Sequence, residues 1–239
     1  MSEPPKTCYT PDKIEAGLDE CGYGSLAGPV VGSVVIWPRD ITLDTEEEVF
    51  LYSKITDSKK LSRSMRARLS IFIMSKCIDF SVVFIDNNII DEINVLQARN
   101  KAFRTAISRL CVKPELLLVD GTASINSDIP EILIIEGDRK FMSISAASII
   151  GKHLHDDYME KIDIETGQIY EWGSNMGYGS SKHVTAMKIH GLSKYHRKTY
   201  NICKQIHVKN EFLRTLADWD HPTDDSLPAR GTSELVDDT

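Results

Sequence analysis

With 239 residues, 41% of them hydrophobic, the chain is long enough to bury a core and suits one large or two small domains. No apolar run approaches the ~18 residues that span a bilayer, the polar start MSEPPKTCYT lacks the apolar stretch of a signal peptide, and the five cysteines form no CxxC pair. These features argue against a membrane protein, a disulfide scaffold and a zinc site, and a cytoplasmic location is expected. The net charge of −7 argues against a nucleic-acid partner only until it is mapped. Residues 218–239 hold seven acids and one arginine, whereas residues 172–210 hold seven Lys or Arg, four of the seven histidines and no acid. The second stretch predicts a basic surface.

Residues 1–12 are polar and proline-bearing, which predicts a loose terminus ahead of a folded body over residues 13–217. Residues 14–18 read as a short buried strand and residues 30–36 as its neighbour. Between them Gly22, Gly24 and Gly28 free the backbone to turn, and Pro29 sets the entry to the return strand. Asp19 and Glu20 thus stand where a core strand runs out. Two carboxylates so close to a core repel each other, and a divalent cation is the simplest counter-charge. Cys21 beside them reads as a small packing residue.

Residues 37–56 show no clear period and predict a loop or a short surface helix. Ser62 is placed to cap a helix through about Lys76, with Met65, Leu69, Phe72 and Ile73 on one face. Lys59, Lys60, Arg63, Arg66 and Arg68 crowd its start, where they oppose the helix dipole, so phosphate contact is their candidate use. Residues 78–85 read as a strand and 93–111 as a helix with Val95, Ala98, Ala102, Ala106 and Leu110 inward. A dense aliphatic strand over 115–119 then delivers Asp120 to its C-terminal end.

After a short strand over 132–135, Gly137-Asp138-Arg139-Lys140 reads as a charged turn, and Ser143 as the cap of a helix from Ile144 to about Lys161. Ser145, Ser148, Lys152 and Asp156 share one stripe of that helix, which aims Asp156, while Asp157 points about 100° away towards solvent. Residues 177–183 form a glycine-hinged loop into a helix through about His190, closed by Gly191. Residues 195–200, YHRKTY, interleave basic and aromatic side chains as expected of a surface that holds a sugar-phosphate backbone. A last helix is expected to about Ala217, and disorder beyond it.

Four carboxylates without His or Cys partners, Asp19, Glu20, Asp120 and Asp156, are hard-metal ligands suited to Mg2+ or Mn2+. Two such ions would stabilise the attacking and leaving oxygens of an in-line phosphoryl displacement. Beside a basic, aromatic surface, this pattern predicts a nuclease.

The segments AGLDECGYGSLAGPVVG, DSKKLS, LLLVDG, GDRKFMSISAASIIGKHLHDD, GYGSSKH and GLSKYHRKTY resemble, in order and over roughly residues 14–200, the successive motifs of the type 2 ribonucleases H, the bacterial ribonuclease HII branch in particular. The resemblance implies an α/β fold, a ribonuclease-H-like mixed central sheet flanked by helices with a helical C-terminal part. It implies a monomeric endonuclease that hydrolyses the RNA strand of RNA/DNA hybrids and cuts 5′ of single ribonucleotides embedded in duplex DNA. Two divalent ions, Mg2+ or Mn2+, would assist, leaving a 3′-OH and a 5′-phosphate. The family's metal-binding acids match Asp19, Glu20, Asp120 and Asp156. Its glycine-flanked loop, where backbone groups meet the ribose 2′-hydroxyl, matches Gly22-Tyr23-Gly24, and its tyrosine that stacks on the sugar at the RNA to DNA junction matches Tyr178.

Lys59, Lys182, His183, Arg197 and Lys198 are the expected phosphate contacts. Two positions depart from the family pattern. Tyr23 stands where an arginine is usual, removing a charged donor to phosphate. His153-Leu154-His155 precedes Asp156, and a protonated His155 is a further candidate phosphate contact. Two other functions fit the same residues: a metal-dependent nuclease of this fold without 2′-OH selectivity, and a nucleic-acid-binding module that has lost turnover.

Overall fold

The computed structural model describes residues 5–209. Its centre is a mixed sheet of five strands, β1 (Glu15–Cys21), β2 (Val30–Ile36), β3 (Asp79–Ile85), β4 (Leu116–Asp120) and β5 (Glu131–Ile134), in the order β3-β2-β1-β4-β5. β1 pairs antiparallel with β2 and parallel with β4, while β3 and β5 form the edges. β2, made entirely of small and β-branched residues and buried along its whole length, lies inside the sheet with β1 and β4.

The two-residue period of β1 sends Ala16 and Leu18 to one face and Gly17 and Asp19 to the other. On the first face Ala98, Ala102, Phe103 and Ala106 of α4 (Val95–Arg109), with α3 (Asn87–Ile93) beside it, pack on Ala16, Leu18, Val34, Val83 and Val119. On the second, Leu69, Phe72 and Ile73 of α2 (Arg63–Lys76) meet Ala146, Ala147 and Ile150 of α5 (Met142–Glu165) over Val35 and Trp37. A third cluster gathers the C-terminal part, where Trp172 of α6 (Trp172–Asn175), Met187 of α7 (Ser181–His190), Cys203 and Ile206 pack with Ala27 and Met159. Residues 201–209 are helical.

Several boundaries differ from expectation for local reasons. The acidic stretch before Lys54 takes the second of its two expected forms, a short surface helix, α1 (Glu46–Ser53), capped by Thr45. Asn94, at φ 67°, interrupts the expected single helix over 93–111, and its side chain caps α4 through the Gln97 amide at 3.1 Å. Ser62 caps α2 as expected. Ser143 does not cap α5: it lies inside the helix, buried, with Phe141 at the cap position. The continuation of the last helix to Ala217, the tail over 218–239 and residues 1–4 lie outside the described residues. Among the described residues no helix is long and apolar enough to cross a membrane.

The start of α5 rests directly on β1. A β-carbon on Gly17 would lie 2.2 Å from the Ser143 carbonyl carbon and 2.3 Å from the Ile144 amide nitrogen, both backbone atoms that cannot swing aside. Gly17→Ala is therefore expected to destabilise by about 3 kcal/mol, at the upper end of ordinary overpacking. That corresponds to a melting point lower by roughly 6 to 12 °C in a domain of this size. A thermal melt checks it, and a change under 2 °C would refute the contact.

Candidate active site

Asp19 and Glu20 end β1 on opposite faces, so each meets a different helical layer. Asp19 lies on the α5 side. Leu18 pairs with Val119 along the parallel ladder of β1 and β4, which sets Asp19 beside Asp120, the last residue of β4. Asp120 Oδ1 accepts the Gly137 amide at 2.7 Å and so ties down the single turn of 3-10 helix, Gly137–Arg139, that follows β5. That turn carries Asp138, 8% exposed, into the electrostatic field of Asp120 and Asp19.

Burial, then the charges of Glu20 and Asp120 and more weakly Asp138, hold the Asp19 carboxyl well above its usual range. Burial and then Asp120 raise Asp138 as well. Carboxylates that resist ionisation in each other's presence form a site that favours a cation. Glu20, on the other face, is drawn 2.8 Å from Arg99 Nε of α4. Among the described residues no three acidic, imidazole or thiol groups are gathered tightly enough to enclose an ion as they stand.

The expected fourth ligand, Asp156, is displaced from this group. It is 1% exposed, with Oδ2 paired to Arg66 at 3.0 Å and Oδ1 to Lys152 Nζ at 2.7 Å. Burial raises its carboxyl, but His155 and Lys152 outweigh that and leave it below the ordinary value. The stripe from Ser148 through Lys152 to Asp156 exists, yet α5 runs away from the sheet end at ~1.5 Å per residue, so Asp156 stands about 12 Å further along the axis than Ser148. Asp138 replaces it. The sequence signal was available: an acid after a glycine, in a turn directly between a strand and a helix of small residues, has little freedom to leave the sheet end.

A cleft of about 380 Å3 opens over the acids, lined by Asp19, Glu20, Cys21, Gly22, Tyr23, Ser58, Lys59, Asp120, Ser148, Lys152 and Tyr178. Ser58 and Ser148 hydrogen-bond across it at 2.9 Å. Burial pushes the Cys21 thiol up to about 12, so it is not a nucleophile at neutral pH. A larger hollow of about 510 Å3 lies around Thr7, Ile14 and Trp37, away from these acids. Another of about 560 Å3 holds Glu160, Asp163 and Glu171, but each of these already serves an internal partner: Arg63, the Trp172 and Gly173 amides, and Lys182.

Gly22, Tyr23 and Tyr178 line the cleft together with Asp19, Glu20 and Asp120. Gly22 has φ +76°, and a β-carbon there would lie 2.6 Å from His155 Nε2 and from the Pro29 carbonyl oxygen, so no other residue fits. Gly24 faces the Tyr178 ring, with a built β-carbon 3.8 Å from its edge. Tyr23 and Tyr178 are 37% and 41% exposed and face the cleft.

The expected phosphate contacts divide. Lys59 is exposed on the cleft wall, Lys198 is exposed, and Lys182 is exposed but paired with Glu171 at 3.0 Å. His183 and Arg197 are fully buried and spend their polar atoms on the interior, which removes them from contact with a phosphate. His155 is likewise buried and held below its ordinary value by burial, which overturns its expected role as a protonated phosphate contact. The basic residues at the start of α2 are also committed, Arg63 to Asp157 and Glu160, Arg66 to Asp156, and Arg68 to Glu47. The YHRKTY stretch is therefore not a continuous basic surface, since its His196 and Arg197 point inward.

The model of the family described as Ribonuclease HII matches residues 16–210. The ribonuclease HII of Rickettsia typhi is 44% identical over 190 residues, 80% of this chain and 92% of that protein. The crystal structure of ribonuclease H2 from Pyrococcus horikoshii OT3 superposes with a TM-score of 0.68 at 25% identity, covering 82% of this chain and 98% of that one. Bst-RNase HIII in complex with Mn2+ shares the fold, with a TM-score of 0.62 and 17% identity over 83% of this chain and 70% of that one. With a match of this length and relatives this similar, the chain belongs to the ribonuclease HII family.

Proposed function

We propose that the chain cuts duplex DNA on the 5′ side of single embedded ribonucleotides, as well as the RNA strand of RNA/DNA hybrids, with two divalent ions held by Asp19, Glu20, Asp120 and Asp138. Family membership carries the coarser statement, an endoribonuclease acting on RNA/DNA hybrids. The observation that supports the finer one is the shared cleft: Asp19, Glu20 and Asp120, at the ends of β1 and β4, line it beside a glycine-turned loop and two exposed tyrosines, and Glu20, Asp120 and Asp138 all act on the Asp19 carboxyl.

The donor set fits a hard cation. It consists of carboxylate oxygens without thiolate or imidazole, Asp19 and Asp138 are each raised by burial and then by neighbouring carboxylates that include Asp120, and Glu20 can join by leaving Arg99. Mg2+ or Mn2+ bound there would supply Lewis-acid stabilisation of the attacking and departing oxygens. The chain's own groups do the rest. Lys59 and Lys152 place positive charge on the cleft wall, where the scissile phosphate must lie. Asp156 keeps the Lys152 ammonium extended along α5. The backbone around Gly22 and Tyr23 approaches the sugar, and only the 2′-hydroxyl separates RNA from DNA at one nucleotide. Tyr178 offers a ring on which that sugar can rest.

Three end-labelled duplexes test the function: all DNA, DNA with one ribonucleotide, and a full hybrid, each in Mg2+ and in Mn2+. A cut 5′ to the single ribonucleotide is expected, and none in the all-DNA duplex. Cutting of all three would favour a nuclease blind to the 2′-hydroxyl. Asp138→Asn should lower kcat by roughly 100-fold or more and weaken Mn2+ binding, whereas Asp156→Asn should cost about tenfold and leave Mn2+ stoichiometry intact. The reverse order would restore Asp156 as the ligand. Tyr23→Arg should tighten substrate binding by roughly tenfold through a charge-assisted phosphate contact, and unchanged affinity would count against it.

Stability carries the sign of the acid cluster. Without metal, Asp19 has a folded pKa above its unfolded 3.8, so it favours folding at low pH and becomes a cost as pH rises through the raised value. Asp19→Asn is therefore expected to melt above the wild type at pH 7 in the absence of metal, with the gain vanishing near pH 4. Mn2+ should raise the wild-type melting point and not the variant's. A variant that melts lower at pH 7 would show that the repulsion is not present.

A further inference from the structure

Three side chains that touch no solvent, Arg197, His196 and His183, are hydrogen-bonded to one another or to the backbone of the cleft residues Gly22, Tyr23 and Tyr178. Arg197, with 0% exposure, directs Nη2 to the carbonyl oxygens of Gly22 at 2.6 Å and Pro29 at 2.9 Å. Its Nη1 donates to Tyr23 O at 2.8 Å and to Tyr200 Oη at 2.9 Å, and its Nε to Gly28 O at 3.1 Å. All five N–H donors of a guanidinium are thereby used, four of them on carbonyls and none on a carboxylate. Burying a charge on carbonyl dipoles alone is costly unless the geometry serves something.

The geometry has a consequence through peptide planarity. In a trans peptide the N–H points opposite to the preceding C=O. With the Gly22 and Tyr23 carbonyls drawn back to Arg197, the amides of Tyr23 and Gly24 are turned away from it, on the side of the cleft that Gly22 and Tyr23 line. The neighbouring residue His196 reaches the other reader, Tyr178. Ser193 N–H donates to His196 Nδ1 at 2.9 Å, which leaves the His196 proton on Nε2. That proton faces His183 Nε2 at 3.2 Å, an atom that also accepts the Trp172 indole N–H at 2.9 Å. The His183 proton must then sit on Nδ1, which donates to the Tyr178 carbonyl at 2.9 Å. Each tautomer fixes the next, and burial keeps both rings neutral, with His196 pushed down to about 3.

We infer that Arg197, His196 and His183 are positioning residues for ribose recognition, turning the Tyr23 and Gly24 amides and the Tyr178 backbone to the geometry that meets a 2′-hydroxyl without touching nucleic acid themselves. This rests on the ribose-reading function proposed above. The segment also ties the two readers to each other, because Arg197 N donates to Leu26 O at 2.8 Å and Leu26 N to Gly177 O at 2.7 Å.

The test measures binding in an Asp120→Asn background, where nothing is cut, as the ratio of Kd for an all-DNA duplex to Kd for the same duplex with one ribonucleotide. The background should show a ratio of tenfold or more. His183→Asn keeps an amide donor near the place of Nδ1, whereas His183→Gln puts it near Nε2, and the two changes disturb packing comparably. The Asn variant should keep most of the ratio and the Gln variant should reduce it below threefold. Arg197→Lys, which retains the charge but not the fork, should also fall below threefold while its Mn2+ affinity stays within twofold of the background. Equal ratios for His183→Asn and His183→Gln, or an undiminished ratio in Arg197→Lys, would overturn the inference and leave the proposed function standing. A ratio near one in the background itself would overturn the ribose-reading function, and this inference with it.

Discussion

Gly17 allows the backbone of α5 to lie against β1, and the position of every acid in the cleft follows from that approach. A helix held a normal distance from the sheet would leave room between the strand ends and the turn before α5, and Asp138 would drift out of the field of Asp19. The contact is made by backbone atoms of Ser143 and Ile144, so it is the missing side chain at position 17, rather than the residue types at the start of α5, that permits it. The parallel register of β1 and β4 supplies the second coordinate, since Leu18 opposite Val119 leaves Asp19 and Asp120 as neighbours past the last paired residues. Two packing constraints, one across the layers and one within the sheet, thus concentrate negative charge where neither alone would.

That concentration has to be contained. Asp57 caps the turn before α2 through the Lys59 amide and pairs with Arg139 at 3.0 Å, although its charge still reaches Asp138. Burial raises Asp57, but the Lys59 amide and Arg139 outweigh it and leave the carboxyl below its ordinary value. Lys152 and Arg66 do the same around Asp156. Asp57 and Asp156 are thus paired with permanent cations, as Glu20 is with Arg99, whereas Asp19 and Asp120 in the cleft are not. Among the described residues no salt bridge pairs Asp19, Asp120 or Asp138, and burial and neighbouring carboxylates raise Asp19 and Asp138, so their field is the one that would attract a cation.

Much of this was legible in the chain. Aliphatic density located all five strands, and the break of a strand on a carboxylate marked Asp19, Glu20 and Asp120, because periodicity says where a side chain must leave the core. Spacing failed at Asp156 because a helical stripe gives direction around an axis, while distance along the axis decides what a side chain reaches. His183, His196 and Arg197 were misjudged for a different reason. Composition makes a stretch without acids look like a basic surface, yet four of the polar groups involved here bond to backbone carbonyls or to each other, contacts that leave no trace in local sequence. Burial of a polar residue is decided by distant chain segments, here Gly22 to Pro29, some 170 residues away in sequence.

The same contacts change the meaning of Tyr23. A side chain at this position that is meant to grip phosphate contributes charge, and tyrosine has none to give. The backbone of residue 23, however, is held through its carbonyl by Arg197 Nη1 at 2.8 Å and by Tyr200 Oη at 3.2 Å, whatever side chain it carries. Reading a 2′-hydroxyl by main-chain amides and gripping a phosphate by a side chain are then separable properties of one residue. Loss of the second weakens attraction for every nucleic acid alike, and so shifts affinity without touching discrimination. On the proposed ribose-reading function, a chain that keeps Arg197, His196 and His183 in place would therefore accept tyrosine at position 23 and still distinguish one ribonucleotide from its neighbours.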